Sequence, residues 1–291
     1  MRTLALRRLP NAASQTMFEF LKLSRYRCIL LLPALLPILL LKAAFAQAQP
    51  AVPSAAVAEK MTRAVVAIAA VSVTGAAPAE VWASQLRFPK VRAAREAAWA
   101  TVLMRLRPHY LNPAQLELFF RVVKTQRTLE VWARNRAGGG PFALVRAYPL
   151  AATSGTLGPK RRAGDEQTPE GFYTINRFNP DSNYLLSLGL DYPNAADRTL
   201  GEPNPGGDIF IHGSNVTIGC LPITDAGIQE VYLLAVAARA AGQQVIPVHI
   251  FPFPLTEAEL ARRAGSPNLA FWRELAPGWA YFEAKHELLP E

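Results

Sequence analysis

Two side chains able to do nucleophilic chemistry stand eight positions apart in the stretch IHGSNVTIGC, residues 211–220: His212 and Cys220. A thiol attacks an acyl carbon as thiolate, and an imidazole or a helix N-terminus beside it changes how readily it ionises. A cysteine activated by a histidine base is a standard nucleophile pair. Gly213 and Gly219 frame the connection, and glycine supplies the positive φ that a tight return of the chain requires. The backbone N–H groups of Gly219 and Cys220 are the expected oxyanion donors, because a glycine beside the nucleophile lets substrate approach closely. Gly213, Ser214 and Thr217 are the expected substrate contacts within the loop. The pairing predicts thiol reactivity well below the free-cysteine range near pH ~8.5. The competing reading is an inert buried cysteine beside a satisfied core histidine.

Other chemistries fit less well. A zinc site would draw on His109, His249, His286 or carboxylates, and no second pair stands at ligand spacing. No metal and no cofactor is therefore expected. In papain-like proteases the histidine follows the cysteine; here it precedes it. The glycine run Gly138-Gly139-Gly140-Pro141 reads as a turn, with no framing for a phosphate loop.

These residues need elements to hold them. The apolar run Ile209-Phe210-Ile211 predicts a strand, over Asp208–His212, that ends on the base. A helix over Asp225–Ala241 follows the cysteine, with Ile228, Val231, Tyr232 and Ala235 as its apolar stripe and Thr224 or Asp225 as its cap. Further strands are expected at Leu118–Val123, Thr128–Trp132, Phe142–Tyr148, Phe172–Phe178, Tyr184–Leu190 and Val245–Phe251. Pro247 places the last at an edge or a bulge. Residues 150–170, rich in Gly, Pro and charge, form a long loop. Upstream, Val91, Ala94, Ala98, Val102 and Leu106 recur at helical spacing within 86–107, and Arg92, Arg95 and Arg105 lie elsewhere on the wheel. Such a helix packs a small helical subdomain.

The N-terminus reads as an export signal. Basic residues from Arg2 to Arg27 precede an apolar run, Cys28–Leu41, and Ala44-Phe45-Ala46 offers a cleavage site. The run has 14 residues and two prolines, whereas a spanning helix needs roughly 20. No stable membrane span is expected, and an uncleaved anchor is the second reading. Beyond residue 46 the chain has one cysteine, so no internal disulfide can form. Its charge also changes. The whole chain carries 31 Lys and Arg against 22 Asp and Glu, for +9; residues 47–291 hold 24 against 21, for +3. Much of the basicity belongs to the signal, which argues against nucleic acid as partner.

The stretch IHGSNVTIGCLPITD resembles the signature of L,D-transpeptidase catalytic domains, the YkuD-like family, in which an HG motif precedes a GC motif. The commoner pattern has a longer connection ending Ser-His-Gly-Cys; here Thr217 and Ile218 take the places of that Ser and His. The compact version, with LGPK (157–160), GDEQTPEGFY (164–173) and SLGLDYPN (187–194), is similar to the YafK-like branch. The resemblance covers about 116–291 and implies a mainly β fold with α, a β-sandwich-like domain with a helix after the cysteine. It divides the chain into 1–46 signal peptide, 47–115 linker and helical region, 116–253 catalytic domain and 254–291 helical extension. It implies periplasmic or envelope chemistry on peptidoglycan stem peptides, with Cys220 as nucleophile, His212 as base, and transpeptidation or hydrolysis as outcome. A wall-linked lipoprotein is a further implied partner. The loop 157–170, with Lys160, Arg161 and Asp165, is expected to line the cleft, Lys160 as a substrate contact.

Overall fold

The computed structural model describes residues 77–290. The expected export signal lies outside the described residues. Among those described, no helix is long and apolar enough to cross a membrane.

Two helices open the described chain: α1, Pro78–Leu86, and α2, Pro89–Leu106. The single helix expected over 86–107 therefore starts later. The residue before a proline is pushed out of the helical region, and Phe88 sits extended at φ −86°, ψ 128° ahead of Pro89. The stripe Val91, Ala94, Ala98, Val102 and Leu106 is the buried face of α2, as its spacing predicts.

Eight strands follow: β1 Leu116–Val123, β2 Thr128–Asn135, β3 Ala143–Pro149, β4 Gly171–Asn179, β5 Ser187–Leu190, β6 Phe210–His212, β7 Leu221–Pro222 and β8 Pro247–Phe251. They hydrogen-bond in the order β3-β2-β1-β8-β4-β5-β6-β7. The β1–β8 and β6–β7 pairs are parallel; the others are antiparallel. Strand β4 joins two halves: residues 171–174 pair with β8, and from Ile175 onward, across a bulge between Ile175 and Arg177, it pairs with β5. The fold is mainly β with α, a mixed sheet with helices.

Four expectations change. The strand expected over Tyr184–Leu190 is confined to 187–190, because Leu185 takes φ +69° and turns the chain. The strand into the base starts at Phe210, since Asp208 stands at φ +56°. The two-residue β7 has no sequence period to betray it. Pro247 does not mark an edge: β8 is central, and proline is tolerated as its first residue.

Helix α3, Ala195–Leu200, is short; α4, Thr224–Ala240, is the long helix after Cys220. Its expected stripe is buried, but so are Leu233, Leu234, Val236 and Ala237, so the helix is apolar on almost every side. It lies against β1, β5 and β6 on one side and α1 and α2 on the other. The Arg105–Glu230 ion pair at 2.5 Å and the Tyr232 hydroxyl donating to Gln85 at 2.6 Å tie it to that helical pair. Helices α5, Glu257–Arg262, and α6, Leu269–Lys285, follow β8. α6 packs Trp272, Leu275 and Trp279 with Val123 and Phe251, while Phe282 meets Phe119 and Trp132. Strand β1 is thus buried on both faces along most of its length, Arg121 included, and does not alternate.

Candidate active site

His212 ends β6 and is buried. In the parallel β6–β7 ladder it is the partner of Pro222, so Cys220 precedes its register position by two residues on the neighbouring segment. Cys220 itself stands in a bend just before β7, on the segment that the ladder holds beside His212. The short loop 213–219 is what allows a parallel return within so few residues. Ser214 stands at φ +64° and Gly219 at +133°. Strained backbone concentrates around this turn, with Leu185, Asp208 and the β-branched Thr224 (φ +67°) also left-handed.

The imidazole is oriented by its own neighbour. His212 Nδ1 lies 2.5 Å from the Gly213 carbonyl oxygen. That oxygen only accepts, so Nδ1 carries the proton and Nε2 is left with its lone pair. The Tyr184 ring covers the imidazole at 4.5 Å between centroids and 31° between planes. Ser214 does not orient the ring; its N–H donates to Asp225 at 2.7 Å. The formal N-cap of α4 is Ile223, although Thr224 Oγ1 accepts the Gly227 N–H at 3.3 Å as a cap would.

Electrostatics correct one expectation. Burial lowers the His212 pKa, against the Gly213 hydrogen bond that would raise it. Burial likewise raises that of Cys220; the Asp208 charge adds to this, while the Phe210 N–H and the Lys160 charge oppose it. The thiol donates to the Asp208 carbonyl at 3.5 Å, and no hydrogen bond joins it to His212 among the described residues. Both shifts favour the uncharged forms, thiol and imidazole, over the ion pair that the spacing suggested. An early thiol titration is therefore not expected.

The loop contacts also sort differently. Thr217 Oγ1 accepts the Gly219 N–H at 3.0 Å and donates to the Cys220 carbonyl at 2.8 Å, so Thr217 clamps the nucleophile turn instead of facing substrate. This consumes the Gly219 N–H as an oxyanion donor. The Cys220 N–H has no partner among the described residues and is left for that task. Gly213 is packed tightly: a Cβ there would stand 2.5 Å from Asp225 Oδ1 and 2.6 Å from the Tyr184 carbonyl. It is a close-approach residue.

Lys160 is buried, donating to Asp165 at 2.5 Å and to the Arg162 carbonyl at 2.9 Å, which makes it a loop brace and not an open binding group. Asp165 also accepts the N–H groups of Arg161, Arg162 and Gln167. Burial alone would raise the Asp165 pKa, but these bonds together lower it. The loop does reach the site, since the Gln167 carbonyl lies 2.9 Å from where a Cβ on Gly219 would be. It is anchored by Glu170, a fully buried carboxylate that accepts from Lys124 (2.8 Å), the Gly158 N–H (2.8 Å) and Trp272 Nε1 (2.8 Å). Sequence reading placed Asp225 only as a helix cap and missed its bond to Ser214; it also missed Tyr184 and Glu170, which stand inside predicted or quoted segments but carry no local signal of their contacts. No group of three or more potential metal ligands occurs among the described residues.

A histidine and a thiol on neighbouring segments at one edge of a mixed sheet, with one long helix after the cysteine, make a recognisable arrangement. Residues 119–250 match the L,D-transpeptidase catalytic domain family, YkuD. Over 168 residues it is 38% identical to "Putative L,D-transpeptidase YafK" of Escherichia coli K12, a match spanning 57% of this chain and 66% of that protein. The same figures hold for the protein of that name in E. coli O157:H7, so the chain spans just under two thirds of the curated relatives it matches. Among solved structures, Pgp2 of Campylobacter jejuni, described as a helical cell shape determining protein, shares 23% identity over 48% of this chain and 49% of its own, with a TM-score of 0.38. Bd1075 of Bdellovibrio bacteriovorus shares 22% over 59% of each chain, with a TM-score of 0.35.

Proposed function

We propose that this protein is an exported cysteine acyl-transfer enzyme that acts on peptidoglycan stem peptides through a Cys220 thioester. The observation that carries the reading is the placement of His212 and Cys220 on adjacent segments, with Nε2 free and the Cys220 N–H unspent, in a chain whose residues 119–250 match this family.

In this reading substrate meets a neutral pair, and His212 acts as general base during attack. Nε2 takes the thiol proton as sulfur adds to the donor carbonyl. The oxyanion faces the Cys220 N–H. The tetrahedral intermediate collapses, the leaving amine takes the proton from Nε2, and a thioester remains. A second amine then gives transpeptidation, or water gives hydrolysis; the same intermediate serves both. Release of a wall-linked lipoprotein, or carboxypeptidase action, belongs to the hydrolytic alternative. No metal or cofactor enters this chemistry. Export by cleavage after Ala46, to periplasm or envelope, completes the proposal, and N-terminal sequencing of the mature protein checks it.

The decisive experiment incubates the protein with purified muropeptides, with and without an amine acceptor, and reads products and intact protein by mass. An acyl adduct on Cys220, absent in Cys220→Ala, supports the reading. Unchanged muropeptides and unmodified protein at every donor overturn it and leave a wall-binding module.

A further inference from the structure

The turn between β4 and β5 carries the ring that covers the base, and that turn is held from outside the sheet. Tyr184 lies over the His212 imidazole, and Lys90 Nζ, on α2, donates to the Ser182 carbonyl at 2.8 Å. We propose that Tyr184 is a positioning residue for His212, and that α2 sets it through Lys90 and Ser182, so that the N-terminal helical pair governs the base. The assignment rests on the acyl-transfer reading above. It adds to that reading a role for residues 78–106, which lie outside the part that matches the family.

The cover itself comes first. The two rings stand 4.5 Å apart between centroids and 31° between planes. His212 is 2% exposed and Tyr184 43%, so the phenol ring stands between the imidazole and solvent. The Tyr184 hydroxyl makes no hydrogen bond among the described residues, so the ring is what acts on the base.

Strain in the turn comes second. Leu185 stands at φ +69°, a conformation that a bulky side chain rarely adopts and that persists only where the surroundings impose it. Bonds beside it do so. The Tyr184 N–H donates to Ser182 Oγ at 3.1 Å, and the Tyr184 carbonyl accepts the N–H groups of Leu186 at 3.0 Å and Gly213 at 3.1 Å. Gly213 is also the residue whose carbonyl fixes His212 Nδ1. Covering ring and base are therefore held through one shared contact.

The tether comes third. Ser182 is buried, and the donor to its carbonyl comes from 92 residues upstream. A hydrogen bond from an ammonium is stronger than one between neutral groups, and a buried acceptor that loses its donor is costly. Without Lys90 the turn must shift to satisfy that carbonyl, and Tyr184 shifts with it. The same α2 grips α4 through Arg105 and Glu230, and α4 holds the Ser214 N–H through Asp225. The helical pair thus reaches the base from two sides.

Removing the ring changes chiefly the solvation of His212. The titratable side chains on the elements around it are Asp181 and Tyr184 on the turn, Asp208 ahead of β6, Cys220 ahead of β7, and Asp225 and Glu230 on α4; β5 has none. Asp208 pairs with Arg177, Asp225 with the Ser214 N–H, and Glu230 with Arg105 and Tyr148. Burial is what lowers the His212 pKa, so uncovering the imidazole raises it.

The test follows the His212 ring by NMR titration in Cys220→Ala, where no turnover enters. Adding Tyr184→Ala should raise the midpoint by about one pH unit, towards the ordinary histidine value, and Tyr184→Phe should leave it in place. Lys90→Met keeps the apolar stem and loses the donor; it should move the midpoint in the same direction, and Lys90→Arg should restore it. Arg92→Met frees the Leu86 and Arg87 carbonyls at the start of the same helix without touching the Ser182 turn, and should change nothing. A midpoint unmoved by Tyr184→Ala or by Lys90→Met overturns the proposal, as do equal shifts in Lys90→Met and Arg92→Met. With Cys220 present, Lys90→Met should lower kcat about tenfold and leave KM little changed. A rise in KM alone makes Tyr184 a substrate contact and overturns its positioning role. Absence of any thioester in wild type strikes the acyl-transfer reading instead, and the titrations still decide whether α2 sets the ring over His212.

Discussion

The Asp225 carboxylate accepts the Ser214 N–H at 2.7 Å, and by that bond the first turn of α4 holds the turn that carries the base. Gly213 is pressed between Asp225 and the Tyr184 carbonyl, and its own carbonyl is what fixes His212 Nδ1. Asp225→Ala is expected to let the imidazole wander and to lower kcat about a hundredfold, the scale that follows a misplacement near 1 Å. KM should change little and Asp225→Asn should recover much of the loss. A purely structural carboxylate would lower stability in both variants and leave kcat per folded molecule unchanged.

Cys220→Ala and Cys220→Ser should abolish turnover and keep the fold, since Cys220 is half-buried and ends a turn instead of filling the core. Activity above about 10⁻² of wild type in Cys220→Ala would remove it as nucleophile.

The pH dependence follows from two directions. His212 must be neutral to accept a proton, and its pKa is lowered. The acid limb of kcat/KM should then fall below the ordinary histidine value, near pH ~6.5. The Cys220 pKa is raised, so iodoacetamide should react faster only above the ordinary thiol range, and His212→Ala should not move that rise. Fast alkylation at pH 6 that disappears in His212→Ala would restore the ion pair suggested by the spacing.

The pair itself was legible because two rare chemical side chains and two glycines fall within ten residues. Its electrostatics were not. Proximity in sequence says that imidazole and thiol are neighbours; only the fold says that both are desolvated, which favours the neutral form of each. Thr217 misled for a related reason, since a hydroxyl in an active-site loop looks like a substrate contact until the backbone groups it already serves are seen. The breadth of α4's burial was hidden because half of its cover comes from α1 and α2, more than a hundred residues upstream. Glu170 gave no signal, as its partners Lys124 and Trp272 lie on distant segments.

Thr217→Val should lower kcat with little change in KM, because it strands the Gly219 N–H and the Cys220 carbonyl, at a cost of about 1–3 kcal/mol in the turn. Thr217→Ser should rescue. A selective rise in KM would return Thr217 to the role of substrate contact.

His249 sits among Phe119 (4.7 Å), Phe172 (4.5 Å) and Phe251 (6.0 Å), and its Nδ1 has no partner among the described residues. Burial, with the Arg121 charge adding to it, pushes its pKa down to about 3. The unfolded chain takes up that proton near pH ~6.5 and the folded one does not, so stability is present above that value and is lost as pH falls towards 3. Each unit of separation is worth about 1.4 kcal/mol. His249→Phe should flatten the fall in urea-unfolding free energy between pH 7 and 4. Parallel curves for the two proteins would show that His249 carries none of it.

Glu170 receives its Trp272 hydrogen bond from 102 residues downstream. A polypeptide emerging N-terminus first has therefore already made the strands, the base and the nucleophile before the partner of its loop anchor exists. Until α6 arrives, the carboxylate and Lys124 have only each other and the loop, and the wall beside Gly219 is unfinished. The order of synthesis thus sets a sequence: the residues of the thiol turn are made first, and the last partner of the loop anchor beside them is made last.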